Sequence, residues 1–210
     1  MYRKYGKSSA LMAAIERRDR AGVQDMLSRG ADPNEPDERG WRPLHLACDK
    51  CDVEGAIDLV ELLIAHGADV NAWDVHHNET PILVASDPPN HHLARLLLEH
   101  GADPNARRSD GESPLRLSAG AEDSVMAELL LQFGASKTIN DYGGILGLTA
   151  LAIAAGNFDV SMIELLIRNG ADPARLEEFG ETARDKLPPR EQHDPQEWDR
   201  VMELLGRKVS

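Results

Sequence analysis

The chain has 210 residues, 41% of them hydrophobic but only 4% aromatic, and a net charge of −13. Its core must therefore be aliphatic, and an acidic body repels phosphate backbones, which argues against a nucleic-acid partner. Two cysteines, Cys48 and Cys51, are too few and too close for a disulfide framework and suit a reducing compartment, read here as the cytoplasm.

The charge is uneven. Residues 1–20 hold Arg3, Lys4, Lys7, Arg17, Arg18 and Arg20 against Glu16 and Asp19, so that end is +4 and the remainder −17. No apolar run follows the basic residues, so no signal peptide is expected. No stretch of about 18 apolar residues is present to span a membrane. The sequon Asn78-Glu79-Thr80 carries no weight without secretion.

The first predicted helices are Ala10–Ile15 and Val23–Leu27, joined by the polar run Arg17 to Arg20, as an end cap requires. Then a phrase begins to recur: Gly30-Ala31-Asp32-Pro33-Asn34, Gly67-Ala68-Asp69-Val70-Asn71 and Gly101-Ala102-Asp103-Pro104-Asn105. Weaker copies start at Gly134 and Gly170. The glycines are 37, 34, 33 and 36 residues apart, a period that signals one supersecondary unit stacked on itself. Residues 78–101 show the unit. Thr80-Pro81 starts a helix, with the Thr80 hydroxyl expected as cap. Asp87-Pro88-Pro89-Asn90 turns the chain, His91–Leu98 forms a second helix, and Gly101 stops it in a left-handed conformation. Helices this short are not stable alone, so they must stack.

Pro43-Leu44-His45-Leu46-Ala47, Thr80-Pro81-Ile82-Leu83-Val84-Ala85, Ser113-Pro114-Leu115-Arg116-Leu117-Ser118 and Thr149-Ala150-Leu151-Ala152-Ile153-Ala154 repeat one pattern. Leucine pairs follow at 62–63, 96–97, 129–130 and 165–166. Together these resemble the ankyrin repeat over about residues 8–187. The resemblance implies an all-α helix-turn-helix solenoid with β-hairpin-like fingers and about six repeats, two of them caps. The expected organisation is a basic tail, 1–7, and a single repeat domain, 8–208, with units near 8–36, 37–72, 73–106, 107–139, 140–174 and 175–208. The last unit starts degenerately at Gly180–Asp185, and its first helix ends at Leu187-Pro188-Pro189. Asp194-Pro195-Gln196-Glu197 then reads as cap, proline and acidic third position. Trp198, Val201, Met202, Leu204 and Leu205 form the apolar face of a closing helix.

The spacing fails in three places. Pro43 to Gly67 is four residues too long, with the surplus near Cys51–Glu54, in the first helix or its turn. The finger Tyr142–Gly147 is about three residues too long, and the finger at Val75-His76-His77 is one residue too long. Insertions in such arrays map to loops.

Cys48-x-x-Cys51 with His45 is the one metal-like cluster, but it lacks the second ligand pair that structural zinc uses. His76-His77 and His91-His92 read as exposed polar residues rather than a pH or metal patch. Gly143-Gly144-x-x-Gly147 lacks the dinucleotide spacing and reads as a flexible finger. No catalytic arrangement, cofactor site or metal site can be assembled, so the chain is expected not to be an enzyme.

By resemblance, partners dock on finger tips and first-helix ends. This implies Arg39, Trp41, Asp49 and Lys50 in the second unit, and Trp73, His76, His77, Glu79 and Asp87 in the third. It implies Arg107, Arg108, Asp110, Glu112 and Ala121 in the fourth, and Tyr142, Ile145, Leu146 and Asn157 in the fifth. The expected function is a monomeric, non-catalytic protein-binding module, with a basic partner favoured by charge. Two alternatives stay open: a stoichiometric inhibitor, like an immunity protein or antitoxin, of a basic enzyme, and a metal- or redox-responsive switch at His45, Cys48 and Cys51.

Overall fold

A computed structural model describes residues 10–38, 40–51, 57–74 and 78–206. The described residues fall into two compact units, 1–103 and 104–210, each taken by itself.

In the first unit the helices are α1 (Ala10–Glu16), α2 (Arg20–Ser28), α3 (Pro43–Asp49), α4 (Ile57–Ala65), α5 (Pro81–Ala85) and α6 (His91–Glu99). Within a repeat the two helices pack as a pair, α1 on α2, α3 on α4 and α5 on α6. Between repeats α1 packs on α3, α3 on α5, and α2 on α4. The apolar stripes meet in these contacts: Leu11, Ile15, Leu44, Leu59, Leu63, Ile82, Leu83, Leu93 and Leu97 are all buried. Burying each such side chain is worth about 1.5–3 kcal/mol, which helices of five to nine residues need.

The second unit repeats the scheme with α7 (Pro114–Gly120), α8 (Ser124–Gln132), α9 (Ala150–Gly156), α10 (Val160–Arg168) and α11 (Pro195–Leu204). Here α7 packs on α9, α8 on α10 and α10 on α11. The expected first helix of the last repeat is only a 3-10 turn, Ala183–Lys186, packed on α9. Leu187-Pro188-Pro189 follows it directly, so it cannot lengthen. Asp194 caps α11 as expected, accepting from the Gln196 and Glu197 amides. Trp198 is half-buried and donates Nε1–H to the Pro188 carbonyl at 3.2 Å, while Val201 and Leu205 are buried.

Gly101 ends α6 at φ +88°, where a side chain would be strained. Thr80 stands at the head of α5 in extended geometry but makes no capping bond. Its hydroxyl is buried without a partner among the described residues. Proline at the first helical position thus starts α5 without the cap the sequence suggested. At Ser113, Asp123 and Asp159 the side chain does cap, accepting from the Arg116, Met126 and Met162 amides.

The spacing irregularities resolve unequally. Helix α3 has the same seven residues as α7 and α9, and α4 the same nine as α2, α8 and α10. The surplus near Cys51 therefore falls between Asp49, where α3 ends, and Ile57, where α4 begins, with seven residues between them where α7–α8 and α9–α10 have three. Residues 52–54 themselves lie outside the described residues, as do Val75, His76 and His77. The surplus before Leu148 is split. Two residues precede Asn140, six residues after Gly134 where Asn71 is four after Gly67, and the 3-10 turn Ala135–Thr138 absorbs them. Only one enlarges the finger itself, whose ends pair Gly143 with Leu148.

Candidate functional site

The recurrent asparagine, not only the glycine, builds the fingers. Asn34 donates Nδ2–H to the Gly67 carbonyl at 2.8 Å and accepts the Asp69 amide at 2.8 Å. Asn71 does the same with Gly101 and Asp103, at 2.9 and 2.8 Å. In the second unit Asn105 donates to the Gly134 carbonyl, and Asn140 donates to the Gly170 carbonyl while accepting the Asp172 amide. Each bond saturates a carbonyl left over at the end of the next helix. The same side chain thus sets the spacing of successive fingers.

Each finger is a tight reversal. The Asp37 amide donates to the Trp41 carbonyl, Arg108 to Glu112, and Glu177 to Glu181, at 2.8, 2.9 and 2.7 Å. The two enlarged fingers close one residue wider, Asp74 on Glu79 and Gly143 on Leu148. In the second unit the fingers are joined edge to edge: Gly144 N–H donates to the Asp110 carbonyl at 2.8 Å, and Glu178 N–H to the Gly147 carbonyl at 3.2 Å. The glycines of this finger answer that close approach rather than flexibility. A Cβ on Gly143 would strike the Gly111 backbone, one on Gly144 would meet the Glu112 carboxylate, and one on Gly147 would strike Glu178.

A buried polar network supports the fingers from below. His45 is buried and its Nε2 lies 3.1 Å from the Glu79 carbonyl. Burial holds its pKa below the ordinary value despite that bond. In the equivalent place in the fourth repeat stands Arg116, whose Nε donates to the Leu148 carbonyl at 2.6 Å and whose guanidinium pairs with Glu112 at 3.1 Å. Burial lowers the Arg116 pKa, with Glu112 opposing it. Glu177, also buried, accepts from the Thr149 amide at 2.6 Å and from its hydroxyl at 2.8 Å. Burial raises this carboxyl against those two bonds.

The residues singled out by resemblance scatter over three kinds of position. Arg39, His76 and His77 lie outside the described residues. Trp73, Asp49, Asp87, Arg107, Asp110, Ala121, Tyr142, Ile145, Leu146 and Asn157 are exposed, while Trp41, Lys50, Glu79, Arg108 and Glu112 are half-buried. Several are engaged with their own neighbours. Lys50 pairs with Asp49, Arg107 pairs with Asp141 and donates to the Tyr142 carbonyl, and Glu112 holds Arg116. These charges order the fingers. Apolar side chains also face outward: Ile145 is 96% exposed, Leu146 66% and Trp73 40%.

The finger of the sixth repeat, where the resemblance implied no contact residue, carries Leu176 and Phe179, the latter 72% exposed. A signal was present. Leu176 stands six residues after Gly170, as Trp73 does after Gly67.

The remaining clusters offer little chemistry. Cys48 and Cys51 are buried free thiols, and burial, then Cys51 and Asp49, push the Cys48 thiol well up, which keeps it protonated. Among the described residues no three His, Cys, Asp or Glu side chains gather as metal ligands. His91 and His92 are exposed on the first turn of α6. A polar cavity of about 430 Å³ lies in the second unit, lined by Glu122, Asn157, Asp159 and Glu197 among others. No helix among the described residues is long and apolar enough to cross a membrane.

Comparison with known proteins agrees with this geometry. The family model "Ankyrin repeats (3 copies)" matches residues 11–108 and 82–177. Human ankyrin repeat and SOCS box protein 6 is 29% identical over 191 residues, covering 80% of this chain. The chain spans 44% of that protein's length, under half. The crystal structure of the Bcl-3 ankyrin repeat domain, a member of the IkappaB family, is 27% identical with a TM-score of 0.77, covering 93% of this chain and 80% of that one. The ankyrin repeat protein EF0377 is 25% identical with a TM-score of 0.77, covering 97% and 99%.

Proposed function

The chain belongs to the ankyrin repeat family, and from that premise we propose that it is a non-catalytic adaptor that docks another protein on its fingers and first-helix ends. The observation that carries this reading is the contrast on the fingers. Their charged side chains bond one another, while Trp73, Tyr142, Ile145 and Leu146 stay exposed. Large apolar side chains on a pre-ordered backbone cost little entropy to dock, and Trp and Tyr among them are enriched in interface hot spots. The partner is basic, matched to the net charge of −13, and charge steers its approach. The adaptor acts as a monomer in a reducing compartment such as the cytoplasm, which suits two free thiols.

Affinity capture from the native host tests this, repeated with a Trp41→Ala/Trp73→Ala variant. A partner retained by the native chain and lost by the variant supports the reading. A partner held equally by both removes Trp41 and Trp73 from the site. Failure to retain any protein contradicts the adaptor role.

A second reading, a stoichiometric inhibitor of a basic enzyme, rests on the same acidic charge. It is separated from scaffolding by whether the captured partner loses a catalytic activity at a one-to-one ratio.

A further inference from the structure

Of the seven large apolar side chains exposed among the described residues of the second unit, Val125 and Phe133 belong to α8 and its end. The other five gather on the last two fingers: Tyr142, Ile145 and Leu146 on one, Leu176 and Phe179 on the other. The two fingers are held together by the Glu178 amide on the Gly147 carbonyl and by the Arg175 guanidinium, 5.9 Å from the centre of the Tyr142 ring. Gly147 has no room for a side chain because Glu178 packs against it. The backbone that presents Ile145 and Leu146 is therefore tied on both sides, to Asp110 through Gly144 and to Glu178 through Gly147. A tied loop cannot fold its apolar side chains inward. Side chains this exposed on adjacent, ordered fingers form a surface that gains by being covered.

The charge around this surface selects what covers it. Residues 170–182 carry Asp172, Glu177, Glu178 and Glu181 against Arg175, a net charge of −3. Glu177 is buried on Thr149, and Glu181 pairs with Lys186. Glu178 is exposed and packs on Gly147, next to Leu146, and Asp172 is exposed with one carboxylate oxygen accepting the Ala174 amide. A second copy of this chain would bring like charge to the same place, and an anionic lipid surface would be repelled.

Resting on the adaptor reading above and deepening it, the geometry points to an anchor site at the fingers Tyr142–Leu148 and Leu176–Phe179, whose occupant is a protein segment with two or more large aliphatic or aromatic side chains flanked by lysine or arginine. The fifth and sixth repeats would then supply the apolar anchor. Asp172 and Glu178 would read the flanking basic residues.

A displayed library of random twelve-residue peptides provides the test. It is selected on the whole protein and rescreened on three variants: Ile145→Ser/Leu146→Ser/Phe179→Ser, Asp172→Asn/Glu178→Gln, and Trp41→Ala/Trp73→Ala. The substituted positions of the first two variants are exposed, and circular dichroism confirms that each variant keeps its helix content and melting profile. The expected result is enrichment of apolar sequences with net positive charge. Their affinity falls at least tenfold on the first variant, severalfold on the second, and less on the third than on the first. Enriched peptides that lose affinity only on the tryptophan variant overturn the anchor site and leave the adaptor reading standing. Enriched peptides without positive charge overturn the assigned occupant. No enrichment on any variant or on the native chain counts against both. Sedimentation showing a concentration-dependent dimer that the first variant abolishes would assign the surface to a second copy instead, and binding to phosphatidylserine vesicles lost in the first variant would assign it to lipid.

Discussion

The guanidinium of Arg116 meets the carbonyl oxygen of Leu148 at 2.6 Å, in the place where, two repeats earlier in the chain, the His45 ring meets the Glu79 carbonyl. Both side chains rise from a first helix and hold the far strand of the next finger. Arginine reaches farther than histidine and brings a charge, which Glu112 neutralises at 3.1 Å. The exchange of His for Arg thus comes with its own counter-ion.

Removing that arginine strands a carboxylate and a buried carbonyl. Arg116→Ala should lower unfolding free energy by about 2–4 kcal/mol, somewhat below the ~3–5 kcal/mol of a fully buried pair because Glu112 is only half-buried. Arg116→Leu paired with Glu112→Gln should recover part of the loss, since it removes both charges. Urea denaturation of the three proteins reads this directly. A native-like midpoint for Arg116→Ala would show that the pair carries no structural weight.

The asparagine ladder makes a separable contribution. Asn71→Ala removes one donated and one accepted bond, to Gly101 and from Asp103. The bonds lie near the surface, so the expected cost is about 1–2 kcal/mol. Asn71→Asp should restore only the accepted bond and fall between the two. Hydrogen exchange at the Asp103 amide should quicken in the alanine variant, and unchanged protection there would contradict the assignment.

Two glycines should fail for different reasons. Gly101→Ala meets no neighbour within 4 Å, so its cost, about 1 kcal/mol, comes from φ +88° alone. Gly143→Ala drives a methyl into the Gly111 backbone and should cost about 1–3 kcal/mol by overpacking. Gly143→Ala, but not Gly101→Ala, should also weaken ligand binding at Ile145 and Leu146, because it separates the fingers that present them. Equal binding by both variants would show that finger spacing does not matter to the site.

The repeat was legible in the sequence because each unit needs the same punctuation: proline to start a helix, glycine to stop it, leucines to fill the stripe between. Gly101, Pro114 and Leu97 act as that pattern requires. The role of Asn71 was hidden because its partners, Gly101 and Asp103, belong to the next repeat. The Thr80 cap misled because sequence shows a hydroxyl in place but not where it points. The glycines of the Tyr142–Gly147 finger suggested slack, and only packing against Gly111 and Glu178 shows the opposite. Nor could spacing tell that Arg107 and Glu112 are occupied with Asp141 and Arg116, while Ile145 and Leu146 stay exposed.

Buried titratable groups give stability a definite slope with pH. Burial holds His45 below the ordinary histidine value, so near pH 6.5 the unfolded chain takes up a proton that the folded chain does not. The His45 contribution is fully present above that range and is lost as pH falls through it. Glu177 behaves in the opposite sense. Its folded-state pKa is raised, so its term favours the fold in acid and fades as pH rises through that pKa. His45→Gln should therefore flatten the decline in melting temperature between about pH 7 and pH 5. An unchanged slope would mean that His45 protonates in the folded protein.

Partner binding by the native chain and by variants of its exposed finger residues tests the central claim most directly. Titrating the captured partner by calorimetry into the native chain, Trp41→Ala/Trp73→Ala and Ile145→Ser/Leu146→Ser should show one-to-one binding to the native chain. Affinity should fall by at least about 2 kcal/mol in one or both variants, the loss expected of a hot spot, and the association rate should drop as salt rises. Binding that is indifferent to both variants and to salt would contradict a site on the fingers.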